Sequence, residues 1–270
     1  MENETVVIES LRARCLHQLR LFFIALQFFT RLPIPRWVGF EEQWLQHASR
    51  YFPAVGLVVA LLTSAVYAIA AHLWPHSIAL LLSMVTSIYL TGAFHEDGFA
   101  DTCDGFGGGS SSERVLEIMK DSRIGAYGAI GIGLMLSLKW LTLTYLPFSV
   151  VIGALLIAHP LSRLFAISLI WRMQYAKENG KAKPMAQQMS NTEFLIATLT
   201  TVLPLFVILI FGWLPWMRVA MGIALGMLAC FAMARLFQRR IGGYTGDCLG
   251  AVQQLTEVLF YLGLLAAIRY

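Results

Sequence analysis

Long apolar blocks alternate with polar stretches along the whole chain, and the blocks have the length of helices that cross a bilayer. Apolar runs at roughly 54–74, 77–94, 125–145, 149–171, 194–213, 216–236 and 253–269 predict about seven transmembrane helices, the last somewhat short. Connections at 75–76, 146–148 and 214–215 each hold a proline and no charge, so they read as tight turns. Those at 95–124, 172–193 and 237–252 are longer and polar. Short and long connections alternate, which places every long one on the same side of the membrane. Before the first span, residues 1–15 read as a flexible polar segment. Leu16–Thr30 is apolar but broken by Arg20, and reads as an interfacial or re-entrant helix that Pro33 and Pro35 end. Trp37 and Trp44 in the following linker are candidate interface anchors. The expected fold is therefore an all-α polytopic integral membrane protein, with residues 16–270 forming one membrane-embedded catalytic domain.

Composition agrees with that pattern. Hydrophobic residues make up 57% of the chain and charged ones 13%, about half the charge of an ordinary soluble domain. The apolar residues come in blocks and do not alternate, which argues against a β-barrel. All of the 20 Lys and Arg except Lys139, Arg163, Arg218 and Arg269 fall on the side of the long connections, which names that side cytoplasmic. Cys15, Cys103, Cys230 and Cys248 are scattered and suggest neither disulfides nor zinc. The first ten residues carry glutamates and no basic residue, so no cleavable signal peptide is expected. A net charge of +4 gives no reason to expect nucleic acid as a partner.

The acidic residues are less evenly spread. FHEDGFADTCDGFGGG, Phe94–Gly109, carries Glu96, Asp97, Asp101 and Asp104 directly after an apolar run. On a helix, Asp97, Asp101 and Asp104 fall within roughly 60° of one another on one face. Such carboxylates repel unless a cation lies between them, and hard oxygen ligands suit Mg²⁺, Mn²⁺ or Ca²⁺. Mg²⁺ takes only one or two protein carboxylates and completes its shell with water and phosphate oxygens, so the stretch reads as half of a metal–phosphate site. Small residues between the acids let a ligand approach the backbone.

Three further features sit near membrane edges. ERVLEIMKDSRIGAYG, Glu113–Gly128, ends with Asp121 and Arg123 at the entrance of a span, where Asp121 could complete the metal site and Arg123 contact a phosphate; a surface ion pair is the plainer alternative. RRIGGYTGDCLGA, Arg239–Ala251, places Gly242, Gly243, Gly246 and Gly250 around a single Asp247, a pattern able to expose backbone N–H groups to phosphate. His159 and Arg163 lie inside the fourth span, as an interhelical partner pair or as a phosphate contact. Lys139 reads as a residue that snorkels, and Lys177–Ser190 as a mobile loop able to close over a substrate.

Taken together, FFTRLPIP at Phe28–Pro35, the Phe94–Gly108 stretch, RVLEIMKDSRIGAYG at Arg114–Gly128 and GGYTGDCLGA at Gly242–Ala251 resemble the cobalamin synthase family. These enzymes are the adenosylcobinamide-GDP ribazoletransferases of the bacterial inner membrane. The likeness runs from about Leu16 to near the end of the chain. Glu96 departs from it, standing where many members carry an aliphatic residue, and the segment before Leu16 looks particular to this chain. The resemblance implies a Mg²⁺-dependent transfer of the cobinamide-phosphate moiety of adenosylcobinamide-GDP to α-ribazole or its 5′-phosphate, releasing GMP. It implies Asp97, Asp101, Asp104 and Asp121 as catalytic groups, with Asp97, Asp101 and Asp104 as metal ligands; Glu96, outside the family pattern, adds a carboxylate beside them as a further candidate ligand. His95, Arg123, Arg163, Gly242, Gly243, Thr245, Gly246 and Asp247 become substrate contacts. Membrane lipid is an expected partner, and a homo-oligomer or a complex with other late cobalamin-pathway enzymes fits the family.

Two other classes compete. CDP-alcohol phosphatidyltransferases also cluster aspartates at a membrane face, but the DxxxD run that follows in that family is absent here. Cation or metabolite transporters bind near the bilayer midplane, whereas these acids lie at its edge.

Overall fold

The computed structural model of the protein describes residues 2–176 and 188–266. Its elements are helices throughout: α1 (Glu2–Phe29), α2 (Glu42–Ala48), α3 (Phe52–Ala70), α4 (His76–Thr91), α5 (Phe94–Gly108), α6 (Ser112–Met119), α7 (Ala126–Thr144), α8 (Phe148–Arg172), α9 (Asn191–Ile210), α10 (Trp216–Ile241) and α11 (Gly246–Ala266). Among the described residues the one β-type contact is an isolated bridge between Tyr175 and Tyr244. Six helical runs are long and apolar enough to cross a membrane, and α4 with α5 makes a seventh if that bent pair is one span. The expected all-α, polytopic architecture is the one observed.

Burial sorts the spans into a centre and a rim. The apolar windows of α8 and α11 are 78% and 72% buried, against 22–28% for α7, α9 and α10, so α8 and α11 form the core. Leu195, Leu199, Val202 and Phe206 on α9 remain exposed, as lipid-facing side chains do. The proline turns read from the sequence are present: Pro75, Pro147 and Pro215 stand extended directly before α4, α8 and α10, where a fixed φ and a missing N–H cost a helix nothing.

Three expectations change. Residues 2–15 are helical, forming the first half of α1, because no glycine or proline interrupts them. The polar connection 95–124 holds the helix that the spacing of its acids calls for, α5, followed by α6. The last span starts at Gly246 and not near 253, because Thr245 caps it: its hydroxyl accepts the Cys248 N–H at 3.3 Å. Lys139 does not snorkel; it is buried and paired with Glu257 at 2.6 Å. Trp44 packs on α1 against Arg20 and His17. The proposed mobile loop, Lys177–Ser190, falls mostly outside the described residues.

Between α4 and α5 the chain turns by 87° through Gly92 and Ala93, both left-handed. Arg31 of the FFTRLPIP stretch holds this corner. Its N–H donates to the Leu90 carbonyl at 2.8 Å, and its guanidinium lies over the Tyr89 ring beside Gly92. The corner sends α5 along α7 and α11, which is what positions the acidic residues.

Candidate active site

Two glycines bring α5 and α11 into backbone contact. A Cβ on Gly98 would lie 2.9 Å from the Asp247 Cα, and one on Gly250 would lie 3.1 Å from the His95 carbonyl. This close approach carries Asp247, in the first turn of α11, to the acidic face of α5. Asp97 is exposed there and Asp101 half-buried. Asp101 lies within electrostatic reach of Asp97, Asp104 and Asp247, so four carboxylates share one region. The N-terminus of α11 favours negative charge beside it.

Asp104 is engaged differently from its neighbours. It is buried, and its two oxygens accept the N–H groups of Gly125 at 2.7 Å and Gly128 at 2.8 Å. These are the cap and third residue of α7, so Asp104 closes that helix from another element. Glu96 also turns elsewhere: Gln254 donates to its Oε1 at 2.9 Å, and it lines a cavity with Lys139, His159 and Glu257. Among the described residues no three His, Cys, Asp or Glu side chains form a metal cage. What remains, Asp97 and Asp101 with Asp247 at hand, is an open set of hard oxygen donors. It suits an ion that keeps water and phosphate in its shell, as Mg²⁺ does.

Below this face lies a buried polar network. Glu257 on α11 is its hub: Lys139 on α7 sits 2.6 Å from Oε1, Tyr261 donates to Oε1 at 3.1 Å, and Gln253 donates to Oε2 at 2.6 Å. His159 on α8 is 3.5 Å from Oε2, and Gln253 also donates to Ser162 at 3.0 Å. The network ties α7, α8 and α11 together at a depth where unpaired charge is costly.

A profile of the cobalamin-5-phosphate synthase family matches residues 21–265, nearly the whole chain. This chain belongs to that family. It is 45% identical to the adenosylcobinamide-GDP ribazoletransferase of Leptothrix cholodnii, over 96% of this chain and 99% of that protein. Proteins of the same name from Shewanella frigidimarina and Shewanella piezotolerans are each 46% identical, over 93% and 92% of this chain and 96% and 95% of theirs. No solved structure matches the chain.

The residues singled out from the sequence are not all brought together. Asp97, Asp101, Asp104 and Asp247 share the α5–α11 face. Asp121 and Arg123 pair with each other at the mouth of α7, Nη2 to Oδ2 at 2.7 Å, with the Arg123 side chain 87% exposed. The Arg123 guanidinium and N–H hold the Asp121 carboxyl down at about 2. His95 and Arg163 line an aromatic cavity with Gly246 at its rim. The GGYTGD glycines serve the chain itself: Gly242 is the left-handed cap of α10, and Gly243 leaves room for the Gln174 carbonyl. Tyr244 exchanges hydrogen bonds with Gln174 and Ala176, and Thr245 caps α11.

The sequence reading missed the glutamines and the aromatic cavity. Gln253, Gln254 and Glu257 recur at helical spacing within an apolar run, a signal that could have marked an inward polar face. Phe28, Phe29, Phe52 and Phe94 come from three elements, and nothing in their spacing connects them.

Proposed function

We propose that this chain is an adenosylcobinamide-GDP ribazoletransferase, joining the cobinamide-phosphate moiety of adenosylcobinamide-GDP to α-ribazole or its 5′-phosphate and releasing GMP. Near-complete mutual coverage with proteins of that name, at about 45% identity, carries the reading. The acidic α5–α11 face supplies a site able to perform it. Asp97 and Asp101, with Asp247 across from them, would hold Mg²⁺. The ion, when bound, would neutralise diphosphate oxygens and the charge on the departing phosphate.

The remaining chemistry belongs to the chain. A ribose hydroxyl of α-ribazole attacks the phosphorus attached to cobinamide, a new P–O bond forms, and the P–O bond to GMP breaks. The hydroxyl proton passes to a carboxylate of this face. Asp97 and Asp101 suit that role better than Asp104 or Asp121, whose oxygens already accept N–H groups of Gly125, Gly128 and Arg123. The glycine contacts between α5 and α11 fix the spacing of the carboxylates. Exposed Arg123 stands at the mouth of α7, available to a phosphate once it leaves Asp121. The long connections and most basic residues lie on one side, which supports a site facing the cytoplasm in the inner membrane.

The test is turnover by detergent-solubilised protein given adenosylcobinamide-GDP and α-ribazole, with and without Mg²⁺. Corrinoid product and GMP in equal amounts, only with the ion present, are expected. Folded, lipid-reconstituted protein that forms neither product would refute the assignment.

A further inference from the structure

A cavity of about 280 Å³ opens between the end of α1, the starts of α3, α5 and α11, and the second half of α8. Phe28, Phe29, Phe52, Phe94 and His95 form its aromatic walls. Phe29 packs edge-on against Phe52 at 4.4 Å and stacks on His95 at 5.6 Å. Arg163, 4% exposed, is its one cationic side chain. Nη1 of Arg163 donates to the His159 carbonyl at 2.9 Å, while Nε is buried with no hydrogen-bond partner. Gln253, also on the wall, has an unpartnered Oε1. Gly246 on the rim is adjacent in the chain to Asp247, so the cavity adjoins the acidic face.

We propose that this cavity seats the heteroaromatic base of the acceptor nucleoside, an inference that rests on the transferase reading above. Aromatic walls hold a flat ring by stacking and edge contacts. An apolar space of about 150 Å³ takes a single benzene ring, so the larger cavity accommodates two fused rings with methyl groups. The base of α-ribazole is such a ring system, and its one free ring nitrogen accepts the Arg163 Nε–H. Gln253 Oε1 accepts a hydroxyl of the attached sugar, which directs the sugar toward the α5–α11 face. The guanine of the other substrate fits worse. Its several donors and acceptors would meet two orphan atoms, and each unmatched buried polar group is costly.

The test uses the full chain in detergent, with 5,6-dimethylbenzimidazole and α-ribazole as probes in equilibrium dialysis, beside steady-state kinetics. The variants are Ala166→Phe, which fills the cavity from α8, and Arg163→Met. Wild type is expected to bind the free base saturably, in competition with α-ribazole. Each variant should raise KM for α-ribazole at least tenfold and leave KM for adenosylcobinamide-GDP within twofold. Folding is checked by elution profile and circular dichroism, and Ala166→Phe serves if the Arg163 variant fails to fold. Wild type that does not bind the base, an Ala166→Phe protein with unchanged KM for α-ribazole, or a co-purified acyl chain that the base cannot displace would each overturn the proposal. Failure of the transferase reading itself appears separately, as absent GMP release by wild type.

Discussion

Asp104 on α5 and Gly128 on α7 are so close that no side chain fits between them: a Cβ on Gly128 would collide with the Asp104 carboxylate that accepts its N–H. The same carboxylate accepts the Gly125 N–H, where a Cβ would also collide with it. An aspartate placed on the acidic face by its spacing is thus a helix cap in the folded protein. Asp104→Asn retains one strong acceptor where two are used, and is expected to lose about 1–3 kcal/mol of stability. Gly128→Ala should destabilise as well, by forcing α5 and α7 apart. Thermal unfolding in detergent checks both. A loss of activity at unchanged stability, rescued by more Mg²⁺, would instead make Asp104 a ligand.

Asp97 and Asp101 should behave in the opposite way. Neither accepts a hydrogen bond that closes a helix, and Asp97 is exposed, so Asp97→Asn and Asp101→Asn are expected to unfold with wild type. Their GMP release should fall at least about 100-fold, the order of loss when a group stabilising transition-state charge is removed. The Mg²⁺ concentration for half-maximal rate should rise in whichever variant keeps measurable turnover. Parallel unfolding curves and metal titrations decide the matter.

These opposite roles mark the limit of what spacing can say. The i, i+4, i+7 pattern correctly predicts a helix face shared by Asp97, Asp101 and Asp104, because helical geometry is local. Which of them is spent on a neighbour depends on α7, whose glycines at 125 and 128 lie 21 and 24 residues beyond Asp104 and read in sequence only as the start of a span. The number and order of the spans were legible, since apolar length is also local. The corner at Gly92–Ala93 was not, because Arg31, from a distant segment, stabilises it. Lys139 reads from the sequence as a snorkelling residue because its partner, Glu257, lies on α11, far along the chain.

The Asp121–Arg123 pair offers a prediction from pH. Its carboxyl, held at about 2, lies below the ordinary value near 3.9 of an unfolded aspartate. Whatever it adds to stability is therefore complete above that ordinary value and is lost only as pH falls toward 2. Because the pair is exposed and screened by solvent, Asp121→Asn should leave the unfolding midpoint unchanged between pH 5 and 8. Unfolding scans across that range check this. A midpoint that drops throughout it would place Asp121 in the packed structure and not at its surface.

The ion pair of Lys139 and Glu257 should show the asymmetry of buried charge. Both side chains are almost wholly inaccessible, and Glu257 also accepts from Gln253 and Tyr261. Glu257→Gln leaves the Lys139 ammonium without its 2.6 Å counter-ion, and Lys139→Met leaves the Glu257 carboxylate without its own. Each single substitution is expected to cost about 3–5 kcal/mol. The double variant, which removes both charges, should recover a large part of that loss, because no uncompensated charge remains at membrane depth. A double-mutant cycle of unfolding free energies measures the coupling. If the two losses simply add, Lys139 and Glu257 do not compensate each other, and Glu96 becomes the carboxylate to pair with Lys139 in the next cycle.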